Sequence, residues 1–432
     1  MRLKKIRRYR WLVVLLLLSA TIINYLDRQI IGLLKPVLER EFSWSETDFA
    51  YIVMAFTAAY AIGLMFFGWL IDRIGTKAGY AVSVILWSAA GMAHALARTV
   101  TGFGIARIGL GIGEAGNFPA AMKAVAEWFP RKERALATGI FNSGTSIGVI
   151  VALLITPWIL TRFGWQEVFW VTGALGFVWL IFWLVLYEVP ARQKRITAEE
   201  LQLINDDHNA ERGQIPATRS VPWLRLFIYP QTWAFVTGKF FIDPIFWFFL
   251  FWLPSYFAST FELDLTRPSL ELMIIYGATT VGSISGGWFS SKLIRRGWPA
   301  LRARKTALLI FAVLELSIIS AQWVTDIRVA VLLISVAVAV HQAWATNMFT
   351  TVSDMFPKEA VSSVVGIGGM TGAVGGILLP MLVGHLLDTY KALGDLSQGY
   401  NLLFTGIGCT YLFAWIVIHL LTRNRSTVAF VR

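Results

Sequence analysis

The stretch 11-WLVVLLLLSATIINYLDRQIIGLL-34 is apolar at most positions, yet Asp27 and Arg28 stand side by side deep within it. A run of this length crosses the ~30 Å hydrocarbon core of a bilayer as one helix. Each charge at mid-membrane costs about 2.5–3.5 kcal/mol on insertion scales. We therefore interpret Asp27 and Arg28 as a buried ion pair at the floor of a central polar cavity.

The composition extends the membrane assignment to the whole chain. Of its 432 residues, 56% are hydrophobic and only 15% are charged, which is too apolar for a soluble domain of this size. The formal charge of +12 does not indicate nucleic acid binding, because the basic residues form short clusters between apolar runs. The sequence therefore predicts an integral membrane protein.

Apolar runs long enough to cross the bilayer number twelve, and each is expected to be helical because an open strand leaves its backbone unpaired in lipid. The predicted spans are 11–34, 49–71, 78–97, 101–128, 136–160, 165–188, 231–258, 269–293, 304–323, 327–352, 360–387 and 398–422. The predicted fold class is therefore an all-α membrane protein of twelve transmembrane helices.

The charges between the spans predict the orientation of the chain. Lys and Arg collect in cytoplasmic loops, and the basic segments are 1–10, 73–77, 131–134, 292–305 and 423–425. The alternate loops are short, poor in bases or acidic, as in 39-EREFSWSETD-48. Both termini are therefore expected on the cytoplasmic side.

The chain also divides into two related halves. The segment 129-FPRKERALATG-139 corresponds to 356-FPKEAVSSVVG-366 without a gap, and the same offset places Gly148 opposite Gly375. A polar linker at 189–229, whose 197-TAEE-200 predicts a short surface helix, separates an N-terminal six-helix bundle at 1–188 from a C-terminal bundle at 230–432. Parallel six-helix repeats are the plan of major facilitator transporters.

The turn 68-GWLIDRIGTK-77 resembles the major facilitator motif G-x-x-x-D-R-x-G-x-K/R. Gly68 and Gly75 allow close approach and a tight turn, and Asp72 can cap a neighbouring helix or pair with a base. We predict a cytoplasmic gate formed by the motif residues, which are Gly68, Asp72, Arg73, Gly75 and Lys77.

The fourth span contains 107-RIGLGIGEA-115, which resembles the superfamily pattern R-x-x-x-G-x-x-x-G/A. Arg107 and Glu114 share one helix face two turns apart, at ~10.5 Å, so they must find partners elsewhere. We expect Glu114 to face the cavity as a proton carrier. The alternative is a structural hydrogen bond between helices.

Further candidates for the cavity come from both halves. The repeat places His341 opposite Glu114, and Lys239 with Asp243 has the spacing of a local salt bridge, with Asp243 also a candidate for the cavity wall. Polar residues at mid-span that could bind hydroxyl groups, or simply pack, are Tyr60, Asn142, Gln342 and Asn347. Glu315, in the middle of the ninth span, has no explanation from the sequence.

These motifs, together with 22-IINYLDRQ-29, 127-EWFPRKERALATGIFNSG-144 and 239-KFFIDPIFWFFLFWLP-254, resemble the anion:cation symporter family of the major facilitators, and more narrowly its bacterial hexuronate transporters. The resemblance implies proton-coupled uptake of a sugar acid, such as glucuronate or galacturonate, through a bacterial inner membrane. It implies proton coupling at Asp27 and Glu114, and substrate binding at Arg28 with Arg107 and the cavity candidates. A monomer without a cofactor is expected, driven by the proton gradient.

Other functions remain open at this stage. Symport of an aldonate or aldarate, and proton-driven export, use the same fold, and a transport-like sensor would bind ligand without moving it. A membrane-embedded enzyme is disfavoured because the sequence has no nucleophile elbow G-x-S-x-G. ATP drive and a metal site are disfavoured because a phosphate-binding G-x-x-x-x-G-K-S/T and clustered Cys and His are missing.

Overall fold

A computed structural model of the chain describes residues 5, 8–44, 46–212, 223–262 and 270–423. Within these ranges the secondary structure consists of helices. Most of the basic N-terminal segment, part of the linker at 213–222 and Arg425 of the basic tail lie outside the described residues.

The first half contains eight helices that together form the first six predicted spans. They are α1 (Tyr9–Phe42), α2 (Glu46–Ile74), α3 (Thr76–Ala93), α4 (Val100–Glu114), α5 (Asn117–Trp128), α6 (Arg131–Asn142), α7 (Gly144–Phe163) and α8 (Trp165–Leu186). The fourth span is α4 followed by α5, and the fifth is α6 followed by α7.

The linker helix and the second half follow the same pattern. They are α9 (Ala198–Arg212), α10 (Pro230–Phe251), α11 (Leu253–Phe261), α12 (Leu270–Arg295), α13 (Ala300–Glu315), α14 (Ile327–Met355), α15 (Lys358–Ala392) and α16 (Leu396–Leu421). The seventh span is α10 followed by α11, and α13 continues into the 3₁₀ segment Leu316–Trp323.

All twelve predicted spans are helical where the structure describes them. In that part of the chain, nine helices are long and apolar enough to cross a membrane. The remaining three spans are α4 with α5, α10 with α11, and α12. The first two are interrupted, and α12 is rich in Gly and Ser.

The prediction of a loop at 39–48 is wrong for its first residues, because α1 continues to Phe42. Its last turns are held by packing: Leu38 is fully buried, and the indole of Trp165 donates to Glu41 Oε2 at 2.7 Å. These contacts with the rest of the half outweigh the polar character of the segment.

The helix predicted in the linker is confirmed as α9. Thr197 Oγ1 accepts the backbone N–H of Glu200 at 3.3 Å, as expected for a capping residue. The carboxylate of Glu200 in turn accepts the backbone N–H groups of Tyr9 at 2.6 Å and Arg10 at 3.2 Å, and pairs with Arg10 Nη1 at 2.8 Å. The linker helix therefore caps the beginning of α1.

Glycine contacts follow the internal repeat. A Cβ at Gly148 would lie 2.5 Å from Ile22 O of α1, and a Cβ at Gly375 would lie 2.5 Å from Phe240 O of α10. The two glycines, which align in the sequence, therefore allow the same close approach to the first span of each half. This packing supports the repeat inferred from the FP segments.

The halves meet closely at one end of the bundle, which we call the closed end. Here a Cβ at Gly366 would lie 2.3 Å from Leu64 O, and a Cβ at Gly139 would lie 2.3 Å from Ser283 O. Arg134 Nη1 donates to Ser353 O at 2.7 Å across the same boundary. Backbone contact through small residues is the usual way in which membrane helices associate closely.

The tightest glycine contact predicts a destabilising substitution within the second half. A Cβ at Gly282 would lie 1.9 Å from Ala339 O, so Gly282→Ala must push α12 from α14. Overpacking of this kind costs about 1–3 kcal/mol, and we expect a lower apparent melting temperature in detergent, measured by intrinsic fluorescence.

The matched control is Gly277→Ala in the same helix, where a Cβ would meet nothing within 4 Å. Replacing a helical glycine by alanine there is expected to be neutral or to stabilise by about 0.5–1 kcal/mol. Equal melting temperatures for the two variants would contradict the proposed packing of α12 on α14.

Candidate functional site

A cavity of about 480 Å³ lies between the two halves, within the usual range for small-molecule sites. Its polar lining consists of Tyr25, Arg28, Thr57, Tyr60, Asn142, Thr145, Lys239, Asp243, His341 and Gln342. The walls between these groups are apolar and aromatic, so the polar groups can fix the orientation of a ligand.

The cavity opens away from the closed end. On the side of the closed end it is covered by Phe118 and Phe349, whose rings stack at 5.2 Å across the boundary of the halves. On the opposite side its lining reaches Met54 and Ile377, which are 63% and 44% exposed. We call this side the open end.

Arg28 is the cation of the first half that lines the cavity. Its Nε donates to Glu114 Oε2 at 2.9 Å, and its guanidinium lies 4.6 Å from the ring centres of both Tyr25 and Tyr60 and 5.2 Å from that of Phe56. We call these three rings the aromatic cage. Nη2 of Arg28 has no hydrogen-bond partner among the described residues.

The predicted ion pair between Asp27 and Arg28 is wrong. Consecutive residues of a helix project ~100° apart, so Asp27 points away from the cavity into the first half and is only 3% exposed. Its charged neighbours are Glu114 and Arg107, with Thr172 of α8 nearby. The partner of Arg28 is therefore Glu114.

Arg107 and Glu114 do not reach the cavity wall, contrary to the prediction. Glu114 is fully buried behind Arg28, and Arg107 Nη2 donates to Arg28 O at 3.4 Å. Asp27, Arg28, Arg107 and Glu114 form what we call the charge cluster. Its two cations and two carboxylates balance when all four groups are ionised.

The second half contributes an ion pair within α10. Lys239 and Asp243 contact each other directly, as their spacing predicts, and both line the cavity. Lys239 lies over the ring of Phe349 at 4.1 Å. A Cβ at Gly372 would lie 2.5 Å from Asp243 Oδ2, so the glycine makes room for this carboxylate.

Polar residues of α6 and α14 complete the lining. Asn142 Nδ2 donates to Gln342 Oε1 at 2.9 Å and to Ser283 Oγ at 3.0 Å, which links the two halves. His341 lines the cavity, stacks on Phe246 and has its Nδ1 2.6 Å from the hydroxyl of Tyr411. The placement of these residues at the cavity is as predicted.

Asn347, predicted as a substrate-binding residue, does not line the cavity. Its Nδ2 donates to Gly286 O at 3.0 Å and to Ala343 O at 2.9 Å, which holds α14 against α12. A polar residue five positions after Gln342 lies on another face of the helix.

Four polar lining residues were missed from the sequence: Tyr25, Thr57, Thr145 and Lys239. Tyr25 is three residues before Arg28 and so shares its face, which was an available signal. Lys239 could have been placed at the cavity from its four-residue spacing to Asp243, which was already a candidate for the cavity wall. Thr145 gave no signal in the sequence.

Two further observations concern a buried carboxylate outside the cavity and the possibility of a metal site. Glu315 is fully buried, and in the part of the chain that the structure describes neither of its carboxylate oxygens has a hydrogen-bond partner. Over the same residues, the structure has no group of three or more His, Cys, Asp or Glu side chains that could hold a metal ion.

The motif at 68–77 forms a latch at the closed end, through Asp72. Asp72 Oδ1 pairs with Lys123 at 2.9 Å, and Oδ2 accepts the backbone N–H of Ser363 from the other half at 2.7 Å. A Cβ at Gly68 would lie 2.6 Å from Ser362 O, so Gly68 permits this approach.

The other motif residues act within the first half. Gly75 makes the turn between α2 and α3 with φ +90°, a conformation that favours glycine. Arg73 lies over Trp69 at 5.3 Å, and Lys77 pairs with Glu188 at 3.0 Å. In the described structure, the latch between the halves thus consists of Gly68 and Asp72 with Ser362 and Ser363.

Comparison with known proteins agrees with this architecture. The chain is 30% identical over 427 residues to the hexuronate transporter of Escherichia coli (strain K12), covering 99% of this chain and 97% of that protein. It is 29% identical to the probable galactarate/D-glucarate transporter of the same strain, over 94% of this chain and 93% of that protein.

Among solved structures, the proton:xylose symporter XylE bound to 6-bromo-6-deoxy-D-glucose superposes with a TM-score of 0.73 at 16% identity, covering 94% of both chains. This similarity concerns the fold. The profile of the Major Facilitator Superfamily matches residues 17–380. With its two helical halves around a central cavity, the chain belongs to the Major Facilitator Superfamily and is a membrane transporter rather than an enzyme.

Proposed function

We propose that the protein imports a sugar acid with protons, most specifically a hexuronate such as glucuronate or galacturonate, across a bacterial inner membrane. The named relatives that carry hexuronates and galactarate or glucarate support the substrate class. The basic residues at the closed end support a cytoplasmic location for that end and for both termini. The cavity then faces the outside.

The observation that carries the proposal is the position of Arg28. Its guanidinium lines the cavity and lies 4.6 Å from the ring centres of both Tyr25 and Tyr60. Charge-assisted hydrogen bonds from a guanidinium to a carboxylate are among the strongest in proteins. We therefore assign the substrate carboxylate to Arg28.

The proposed proton coupling depends on Glu114, the protein carboxylate that pairs with Arg28. Glu114 holds Arg28 from inside the first half, so a substrate carboxylate and the Glu114 carboxylate compete for one guanidinium. A proton on Glu114 weakens its hold and leaves the charge cluster with one extra positive charge, which one substrate carboxylate balances. Proton and anion then favour each other's binding by a coupling free energy.

Asp27 has a different part from the one that its sequence position suggests. It faces Glu114 and Arg107 rather than Arg28, and like charges close together disfavour double ionisation. Asp27 and Glu114 therefore belong to one proton site, in which the charge of each carboxylate opposes ionisation of the other. We assign Asp27 to tuning the proton site and not to direct control of Arg28.

Sugar hydroxyl groups would find partners on both halves. Tyr25 and Tyr60 lie on one side of the cavity and Asp243, His341 and Gln342 on the other. Alternating access would proceed as a rocking of the two halves, 1–188 and 230–432, about this site. The latch at Asp72 would separate as the closed end opens.

The direction of substrate transport relative to the proton gradient distinguishes the proposed import from proton-driven export. In proteoliposomes with an inward proton gradient, we expect accumulation of a hexuronate above its external concentration. Counterflow without net accumulation would indicate a carrier that is not coupled to protons, and binding without any flux would indicate a sensor. Accumulation only under the reversed gradient would contradict import.

Removal of Arg28 tests the carboxylate site. Arg28→Ala deletes charged hydrogen bonds worth about 1.5–3 kcal/mol, so hexuronate affinity measured by calorimetry should fall about 10- to 150-fold. Lys194→Ala, at an exposed linker position, should leave affinity unchanged. Equal affinities for the two variants would place the substrate carboxylate elsewhere.

Neutralising Glu114 tests the coupling. Glu114→Gln mimics the protonated carboxyl, so hexuronate binding and counterflow should persist while a pH gradient no longer drives accumulation. The control is Glu199→Gln on the exposed face of α9, which should retain gradient-driven uptake. Undiminished, pH-dependent accumulation by Glu114→Gln would show that the coupling group lies elsewhere.

The latch predicts a shift between conformations. Asp72→Asn leaves the buried Lys123 without its carboxylate, a change that costs about 3–5 kcal/mol for buried pairs. Hydrogen–deuterium exchange should therefore rise in α15 around Ser363 and fall at the open end. Asp326→Asn, at an exposed helix cap, should change neither region, and the same result for Asp72→Asn would argue against a latch.

A further inference from the structure

The ion pair of α10 presents its two members unequally to the cavity. The side chain of Asp243 is 27% exposed and that of Lys239 only 7%. Lys239 is covered on one side by the ring of Phe349 at 4.1 Å. A ligand in the cavity therefore meets a carboxylate first, with the ammonium group behind it.

Asp243 lies across the cavity from the proposed carboxylate site. It interacts electrostatically with both Tyr25 and Tyr60, the two rings of the aromatic cage nearest to Arg28. Because Arg28 lines the cavity from the first half and Asp243 from the second, a sugar acid whose carboxylate binds Arg28 can reach Asp243 with the group at its far end. The space for this carboxylate is built by Gly372, where any side chain would collide with Asp243 Oδ2.

The chemistry of this far end is selective. An ionised carboxylate accepts hydrogen bonds and donates none, so Asp243 suits a hydroxyl group of the ligand. A second ligand carboxylate would face a like charge, and like charges in close contact are unfavourable where water is largely excluded. Lys239 is already occupied by Asp243 and is less accessible.

Charge balance leads to the same conclusion. The charge cluster is neutral when ionised, and so is the pair of Lys239 and Asp243. One proton on Glu114 therefore balances one substrate carboxylate. A ligand with two carboxylates would leave one unbalanced negative charge next to Asp243.

We propose that Asp243 is a selectivity residue: it admits sugar acids with one carboxylate and a hydroxyl group at the far end, and it excludes aldarates, which carry a carboxylate at both ends. This inference rests on the proposed function. It decides a point that sequence similarity leaves open, since the hexuronate and galactarate/glucarate relatives are 30% and 29% identical to this chain.

The test compares three ligands of the purified full chain by calorimetry: D-galacturonate, D-galactonate and galactarate. The first two carry one carboxylate and the third carries two, so they separate the number of charges from the chemistry of the far end. For the wild type we expect at least tenfold weaker binding of galactarate than of either monocarboxylate.

Asp243→Asn should reduce this preference at least tenfold, chiefly by improving galactarate binding, because Lys239 is then free to accept the second carboxylate. Gln342→Ala removes a neutral lining group from the same region and should weaken all three ligands to a similar extent. The ratio of affinities is thus expected to change in one variant and to stay within threefold in the other.

Two results would overturn the role of Asp243: a wild type that binds galactarate as tightly as the monocarboxylates, or an Asp243→Asn variant with the wild-type ratio. The wild-type comparison decides even where the variant does not fold. Failure of the wild type to bind any of the three would instead overturn the proposed function itself.

Discussion

The buried contact between Arg28 and Glu114 is the interaction on which the candidate site depends. It joins α1 to α4 with side chains that are 11% and 0% exposed. A buried ion pair is weak evidence for stability, because desolvation of both charges offsets their attraction. The pair is better explained by the position it gives to Arg28: the guanidinium stays at the cavity wall, while its counter-charge, Glu114, is buried behind the wall.

The glycine contacts distinguish helices that are packed together within one half from helices that are packed across the boundary of the halves. Gly148 and Gly375 bring helices together inside each half, whereas Gly139 and Gly366 bring the two halves together at the closed end. At each of these glycines the nearest atom to an added Cβ is a backbone carbonyl oxygen of the neighbouring helix. Surfaces of this kind can separate cleanly, and the polar contacts of Asp72 and Arg134 then supply the specific hold at the closed end.

Sequence patterns predicted the fold and part of the site for identifiable reasons. Spans follow from the length of apolar runs, and the latch at Asp72 and the pair Lys239–Asp243 follow from fixed local spacings. The partner of Arg28 could not be predicted in this way, because adjacency along the chain does not mean adjacency of side chains on a helix. The placement of Asn347 could not be predicted for a related reason: between His341 and Asp354, polar side chains lie on several faces of α14, so the sequence does not show which face meets the cavity.

The carboxylates of Glu114 and Asp243 belong to different halves, which separates their roles in the proposed transport cycle. Under the proposed function, Glu114 binds the proton within the first half. It would move together with Arg28, since both belong to that half, so their competition would persist when the halves rock. Asp243 belongs to the second half, so the proposed rocking of the halves would change its distance from the aromatic cage. The proposed proton coupling therefore depends on contacts within one half, whereas the proposed recognition of the far end of the substrate depends on groups of both halves. Charge selection and coupling can accordingly be altered one at a time.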